Sequence, residues 1–367
     1  MIFTEEQQLF RDAMADFFAQ HGSTQALRQL RDEPANVAFD TQVWAELVEL
    51  GLPGMVVPEE YDGLSFGWLG LGAIAEVSGR HLAPSPLLSH VVLAQELLLN
   101  CGSTAQIAHY LPPLLAGEEL WAVAIDGHRF FQGGDGSVVE VAERLSGKKV
   151  LVPDGAAADR ILLPVGRADG SVGVFAVPAG SAGVSVEATR MMDGRQYANI
   201  HFDEVEVSAG EWLDGPSGGD GWKLTLDRAM VVLAAEMVGS ARELLERTVQ
   251  FLAEREQFGV KLATFQALQH RCSIAYSELE LTASAVLAAL SAIDRGESQI
   301  AAYASQAKAL ANDCLTLISS EAVQLHGGMG VTDEMDIGLF LKRSRVANQL
   351  LGTSDWHRAR FASLGGF

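Results

Sequence analysis

The chain has 367 residues, of which 48% are hydrophobic and 20% charged, a composition typical of a globular protein rather than of a disordered chain. Its formal net charge is -21, so its overall field repels nucleic-acid phosphate and anionic lipid. No stretch approaches the roughly 18 uninterrupted apolar residues of a membrane span. The cysteines Cys101, Cys272 and Cys314 lack the spacing of a metal or redox site. We therefore expect a cytoplasmic protein with no metal, no nucleic-acid partner and no membrane partner.

Helical patterns occupy the first part of the chain. Thr4 is typical of a helix N-cap because acidic residues and a glutamine follow it, and the later apolar residues recur at helical spacing. Further helical patterns end at Gly51 and near Leu115, with a proline-containing break at 82–86. These patterns predict an N-terminal α-helical domain over residues 1–118.

The sequence pattern then changes to short β-type runs separated by Gly, Asp and Ser, which predicts a middle domain over residues 119–214. Short strands at turn spacing are typical of an antiparallel sandwich or barrel. The predicted strands cover residues 121–125, 138–141, 150–152, 160–165, 172–177 and 200–205.

The stretch from Gly215 to Gly221 is rich in glycine and predicts a linker at a domain boundary. Helical patterns follow it through Glu254 and then over roughly 264–294, 298–325 and 336–349. Four long helices with short joins predict a bundle over residues 215–367. The expected fold class is α+β.

Two segments of this bundle carry arginine, glutamine and glycine in an order that suits a dinucleotide. Arginine presents a charged fork that matches a diphosphate, and glycine at a helix end lets backbone N–H groups approach an anion. The segments are Arg255-Glu256-Gln257-Phe258-Gly259 with Phe265-Gln266, and Gln324-Leu325-His326-Gly327-Gly328-Met329-Gly330. In this order and at this spacing they resemble the acyl-CoA dehydrogenase family of flavoenzymes, and the resemblance extends over essentially the whole chain.

The resemblance implies a reaction and a cofactor. A carboxylate removes the α-proton of an acyl-CoA thioester while hydride leaves the β-carbon for FAD, and an electron-transfer flavoprotein accepts the electrons. It also implies an N-terminal α-helical domain, a middle β domain and a C-terminal four-helix bundle. The positions that match the family's cofactor-binding residues are Arg255, Gln257, Phe258, Gln266, Gln324, Gly327, Gly328 and Thr353.

The catalytic carboxylate that the resemblance implies is missing. Most members place Glu directly before Gly-Thr, where this chain has Leu351, and a smaller branch places it where this chain has Ala229. The family's flavin motifs of the middle domain are also absent, at residues 124–129 and 151–153. The catalytic residue of this chain is therefore unknown. In the family, the matching bundle residues contact the FAD of the neighbouring subunit, so the half-site offered outward is intact and the inward half is lost.

This asymmetry resembles the short, base-lacking subunit of bacterial heteromeric acyl-CoA dehydrogenases. We expect the chain to supply half of a FAD site to a second acyl-CoA dehydrogenase subunit, in a dimer or an α2β2 tetramer, in the catabolism of a steroid, bile-acid or other acyl-CoA. Two alternatives stay open. One is a homo-oligomer whose base is Glu236, two helical turns after Ala229. The other is a non-catalytic scaffold that binds acyl-CoA.

Overall fold

The chain divides into two compact units, each assembled from segments that are distant in sequence. A computed structural model describes residues 3–134, 137–166, 172–213, 215 and 218–367. The first unit, here called the helical unit, combines Met1–Leu27, Trp68–Ala83 and Met230–Phe367, and the second, the sheet unit, combines Arg28–Gly67 and Pro84–Ala229. The division into domains at 1–118, 119–214 and 215–367 stays a prediction.

Helices dominate both ends of the chain, as predicted. Thr4 caps the first helix: its hydroxyl accepts the N–H of Gln7 at 3.1 Å, and the Gln7 side chain accepts the N–H of Thr4 at 3.1 Å. A π-helical segment, Leu87–Gln95, was not predicted. The α-helices of the described residues are α1 Glu5–His21, α2 Thr24–Asp32, α3 Thr41–Glu49, α4 Trp68–His81, α5 Glu96–Cys101, α6 Thr104–Leu115, α7 Gly218–Glu254, α8 Gln266–Asp294, α9 Ile300–His326, α10 Ile337–Ala347 and α11 Ser354–Leu364.

The middle of the chain forms an eight-stranded sheet in the order β6-β7-β3-β2-β4-β5-β8, with β1 on β4. The strands are β1 Trp121–Val123, β2 Val138–Val141, β3 Arg144–Pro153, β4 Arg160–Gly166, β5 Val172–Pro178, β6 Val184–Arg190, β7 Gln196–Glu206 and β8 Trp212–Leu213. The α+β fold class is confirmed. The sheet is mixed rather than purely antiparallel, because β1 and β2 both pair with β4 in parallel. The sequence patterns missed β6 and β8.

Apolar side chains of the strands form the core of the sheet unit. Alternate residues along a strand point to the same face, so the buried positions of several strands meet on one side. The buried members are Ala122, Ala124, Val138, Leu145, Val152, Ile161, Leu163, Val165, Phe175, Val177, Ala198, Ile200, Phe202 and Val205.

The predicted linker from Gly215 to Gly221 is corrected in part. Residues 216 and 217 lie outside the described residues, but α7 already begins at Gly218. A Cβ on Gly221 would lie 2.7 Å from the carbonyl oxygen of Asn100, so this glycine allows close packing of backbones within the sheet unit. At Gly221 the sequence signal therefore reflects backbone contact.

Within the helical unit, α4 and α7 approach until their backbones touch. A Cβ on Gly79 would lie 1.9 Å from the carbonyl oxygen of Glu236, and a Cβ on Gly239 would lie 1.8 Å from that of Glu76. The Ser240 hydroxyl donates to the carbonyl oxygen of Gly79 at 2.9 Å. Each helix thus places a glycine against the other helix's backbone.

Candidate functional site

A short hairpin after α7 carries the first group of motif residues. The strands β9 Glu256–Gln257 and β10 Val260–Lys261 pair antiparallel. The turn between them contains Phe258 and Gly259, whose φ angles of 56° and 79° are both positive, as in the tight turns that join right-twisted strands. Arg255, Gln257 and Phe258 are exposed, and Phe258 retains 88% of its accessible surface. The hairpin therefore presents these side chains to the exterior of the chain.

The second group of motif residues lies at the end of α9. Gln324 is exposed, and Gly327 ends the helix with φ 60° and ψ -141°, a conformation open only to glycine at low cost. Among the described residues, a Cβ on Gly327 or Gly328 would meet no atom within 4 Å beyond its own chain neighbours. These glycines thus leave their backbone open to a group from outside the chain. Gln266 is likewise exposed, at the start of α8.

Two contacts bring the motif segments together. The ring of Phe251 stacks on His326 with 4.2 Å between centroids, and the N–H of Arg255 donates to the carbonyl oxygen of Phe251 at 2.9 Å. Phe251 lies one helical turn before Arg255, and His326 directly precedes Gly327. The stacked pair therefore brings the start of the hairpin segment next to the end of α9. Arg271 and Glu321, 2.5 Å apart, join the first turns of α8 to the last turns of α9. The hairpin segment and the end of α9 therefore lie next to each other in the helical unit.

Thr353 has a different setting. It is the N-cap of α11, and its hydroxyl oxygen accepts the N–H of Trp356 at 3.4 Å. A threonine hydroxyl that accepts one hydrogen bond still has its own hydrogen to donate. The described contacts tie Thr353 to α11 and not to the hairpin.

Neither position for the family's base holds a proton acceptor. Leu351 is 1% exposed and Ala229 is fully buried. Leu351 has φ 58°, in the left-handed region that a leucine rarely adopts. The backbone therefore turns at Leu351, but the side chain at this position is not a carboxylate.

Glu236, the alternative base, forms a buried ion pair within the helical unit. Arg343 donates to its two carboxylate oxygens, through Nε at 3.0 Å and through Nη2 at 3.1 Å. The two side chains are 10% and 3% exposed. A bidentate arginine favours the charged carboxylate and occupies both oxygens, so this geometry disfavours a role as proton acceptor.

A second buried carboxylate, Glu96, escaped the sequence patterns. It lies within an apolar run of the sheet unit, is 5% exposed, and pairs with Arg228. Burial raises the pKa of Glu96, while the charge of Arg228 opposes the shift. The sequence did offer a signal for this site, because a glutamate inside an otherwise apolar run is rarely buried without a partner. Arg228 directly precedes Ala229 on α7.

The middle-domain segments that lack the family's flavin motifs are built around their own polar side chains. Asp126 is 7% exposed and accepts the N–H groups of Gln132 and Gly134, each at 3.0 Å. The fully buried Lys149 donates to the carbonyl oxygen of Ile125 at 2.8 Å. The carboxylate of this loop is therefore hydrogen-bonded to the backbone of the same loop. The middle domain therefore does not fit the flavin contacts that the resemblance implied, whereas the exposed bundle surface does.

Acid should destabilise the protein through buried histidine. Burial lowers the pKa of His90 to about 4, below the value of about 6.5 expected in the unfolded chain. Stability from this group is complete above pH 6.5 and is lost as pH falls toward 4, because only the unfolded chain binds the proton there. We expect a slope of roughly 1.4 kcal/mol per pH unit. Denaturant unfolding between pH 6.5 and 5 measures it.

The matched variants for this measurement are His90→Gln and, as control, the exposed His201→Gln. The slope of unfolding free energy against pH, rather than its absolute value, is the quantity compared. His90→Gln should reduce this slope and the control should not. An unchanged slope in His90→Gln would show that another group governs the acid response.

Two classes of site find no support in the described part of the chain. No group of three or more His, Cys, Asp or Glu side chains there has the geometry to hold a metal ion. No helix there has the length and hydropathy needed to span a membrane.

Two protein-family models match the chain. The model of the acyl-CoA dehydrogenase N-terminal domain matches residues 4–118, and that of the acyl-CoA dehydrogenase C-terminal domain matches residues 219–363.

Individual relatives cover nearly the full length. The acyl-CoA dehydrogenase IpdE2 of Mycolicibacterium smegmatis is 27% identical over 350 residues, 95% of either chain, and IpdE2 of Mycobacterium tuberculosis is 28% identical over 348 residues, 95% of this chain and 93% of that one. A variant of the Tcur3481–Tcur3483 steroid ACAD is 30% identical, with a TM-score of 0.87 over 99% of this chain and 98% of that one. The ChsE4–ChsE5 complex of M. tuberculosis, at 23% identity, shares the fold with a TM-score of 0.90 over 99% and 98% of the two chains. From these matches and its fold, the chain belongs to the acyl-CoA dehydrogenase family.

Proposed function

We propose that this chain is one subunit of a FAD-dependent acyl-CoA dehydrogenase and that it completes the FAD site of a partner subunit carrying the catalytic Glu. One observation supports this proposal above the others: the motif residues of the hairpin and of the end of α9 are exposed on neighbouring segments, while both base positions are apolar and buried. The residues we assign to the shared FAD site are Arg255, Gln257, Phe258, Gln266, Gln324, Gly327, Gly328 and Thr353.

The bound FAD supplies the hydride acceptor, and this chain supplies binding and orientation. The Arg255 guanidinium would neutralise diphosphate charge, and the backbone N–H groups at Gly327 and Gly328 would approach an anion closely. The exposed Phe258 would exclude water from the contact. Because Leu351 and Ala229 cannot accept a proton, proton abstraction in this proposal falls to the partner.

The substrate class that we propose is an acyl-CoA whose acyl group is the side chain of a steroid or bile acid, or another acyl-CoA. The 30% identity to a protein named as a steroid ACAD supports this class. We propose a dimer or an α2β2 tetramer as the assembly, an electron-transfer flavoprotein as the acceptor and the cytoplasm as the location. All three cysteines are free thiols, which supports a reducing compartment.

The proposal is tested by purifying the chain alone and together with the acyl-CoA dehydrogenase encoded beside it. Flavin absorbance and native mass are measured for both preparations. We expect little flavin in the chain alone, and a yellow, active mixed complex. One FAD per subunit and acyl-CoA oxidation by the chain alone would support the homo-oligomer instead. A mixed complex without flavin would support the scaffold.

Replacing Arg255 by alanine should deplete the FAD of the mixed complex without breaking the assembly. Loss of a charged hydrogen-bond donor corresponds to roughly tenfold to hundredfold weaker binding. FAD content after gel filtration measures the effect. The control is Arg295→Ala, a 62%-exposed arginine in the turn after α8. Equal FAD content in the two variants would contradict the assignment of Arg255.

A further inference from the structure

The turn between α10 and α11 holds an unfavourable backbone conformation. Leu351 has φ 58° and Gly352 has φ 107°. Gly352 has the freedom to adopt this value, but Leu351 is a branched residue in the left-handed region and is 1% exposed. Such a conformation persists only where surrounding contacts over-determine it. Surrounding contacts must therefore hold this turn in place.

A fully buried lysine of α9 binds the turn directly. The Nζ atom of Lys308 donates to the carbonyl oxygens of Ala347 at 3.0 Å and Gly352 at 3.3 Å, and to Oδ1 of Asn312 at 2.6 Å. Asn312 in turn donates through Nδ2 to the carbonyl oxygen of Gly352 at 3.1 Å. All three ammonium hydrogens are thus used, one of them on the last carbonyl of α10 and one on the Gly352 carbonyl of the turn.

His357 of α11 binds the turn from the other side. Its Nε2 donates to the carbonyl oxygen of Leu351 at 2.9 Å, which assigns the proton to Nε2 because a carbonyl only accepts. Its Nδ1 is buried without a hydrogen-bond partner. A Cβ on Gly352 would lie 2.8 Å from Nε2, so the ring packs against the turn. The polar contact of this buried ring is therefore made to the turn.

The charges around Lys308 do not explain its burial. Burial lowers the pKa of Lys308 well below its usual value, and the charge of Arg343 adds to the shift. Arg343 is itself paired with Glu236, and Lys308 has no carboxylate partner among its hydrogen bonds. An apolar side chain of similar length would carry no such desolvation cost. What Lys308 provides is hydrogen bonds to the carbonyl of Ala347, where α10 ends, and to the carbonyl of Gly352 in the turn.

We propose that Lys308 is a positioning residue that holds the Leu351–Gly352 turn and thereby places the Thr353 hydroxyl and the first turn of α11 against the shared FAD. This inference rests on the proposed function, in which Thr353 belongs to the FAD site. Lys308 acts only through the backbone and touches no cofactor atom in this assignment. Asn312 and His357 complete the same cluster.

The test compares Lys308→Met with Lys342→Met, a half-buried lysine of α10 outside the cluster. Methionine keeps the unbranched chain as far as the ε position and removes the ammonium group with its three hydrogens. In the chain alone, amide hydrogen exchange over residues 349–356 should rise in Lys308→Met and not in Lys342→Met. In the mixed complex, FAD affinity should fall about tenfold. This factor corresponds roughly to the free-energy cost of the left-handed conformation at Leu351, which FAD binding would have to supply once Lys308 no longer does.

A rescue variant separates positioning from general destabilisation. Glycine adopts the left-handed region at little cost, so Leu351→Gly combined with Lys308→Met should restore FAD affinity toward that of Leu351→Gly alone. Recovery supports the proposal. Unchanged exchange in Lys308→Met, or faster exchange with unaltered FAD affinity, overturns it.

A failure of the proposed function can be distinguished from a failure of the proposal for Lys308. A wild-type mixed complex that lacks FAD would overturn the shared site. The exchange experiment on the chain alone would still decide whether Lys308 holds the turn, since it needs neither partner nor cofactor.

Discussion

Replacing Gly239 by alanine is expected to destabilise the helical unit by about 3 kcal/mol or more, at or above the upper end of typical overpacking costs. The added Cβ would lie 1.8 Å from the carbonyl oxygen of Glu76. No rotamer change relieves this contact, because the position of the Cβ is fixed by its own backbone and the partner atom is a backbone oxygen. The helices α4 and α7 must therefore move apart. Gly79→Ala should act similarly through the carbonyl oxygen of Glu236, at 1.9 Å.

The control for this prediction is Gly338→Ala in α10, where an added Cβ would meet nothing within 4 Å. Alanine favours a helix over glycine by roughly 1 kcal/mol, so this variant should be neutral or slightly more stable. Thermal unfolding followed by circular dichroism compares the variants. Equal stability of Gly239→Ala and Gly338→Ala would show that α4 and α7 adjust their separation easily.

Glu236→Gln should cost about 3–5 kcal/mol of stability, the typical result of leaving one partner of a buried ion pair uncompensated. Arg343 would remain 3% exposed opposite a neutral amide. The double variant Glu236→Leu with Arg343→Met should cost less than the sum of Glu236→Leu alone and Arg343→Met alone, because it leaves no unpaired charge. Denaturant unfolding of the four forms gives this coupling energy.

The Glu236→Gln variant also tests the alternative base. The exposed Asp355→Asn serves as control, since Asp355 is 99% exposed and its contact to Arg358 is 3.6 Å long. If Glu236 is a structural partner of Arg343, the Glu236→Gln variant loses stability. Any loss of bound flavin or of activity is then explained by partial unfolding. If Glu236→Gln keeps wild-type stability and abolishes oxidation by the chain alone, the base alternative is correct.

Local patterns predicted much of the architecture because each rests on short-range physics. The N-cap at Thr4 follows from hydrogen bonds within one helical turn, and the long helices α8 and α9 follow from apolar spacing. The strand β8 is two residues long and was missed, because its pairing with β5 is made across a large separation in sequence. Such pairings leave little local signal.

Glycine shows the limit of reading residues one at a time. The run from Gly215 to Gly221 was interpreted as a linker, yet from Gly218 it is helix, and Gly221 packs against the Asn100 carbonyl. Gly79 and Gly239 carried no local signal, although they set the contact of α4 and α7. Whether a glycine serves flexibility or close approach depends on what faces it.

The sequence by itself determined the family resemblance, the cradle motifs and the absence of a carboxylate at Leu351 and Ala229, because these are matters of residue type and order. Only the tertiary structure decided that the exposed hairpin and the end of α9 lie next to each other, that Glu236 is bound by Arg343, and that Lys308 is buried against a turn about 40 residues away in sequence. An isolated lysine or glutamate in a helix has the same local pattern whether it meets solvent or a partner. Its role is set by the long-range packing that removes it from water.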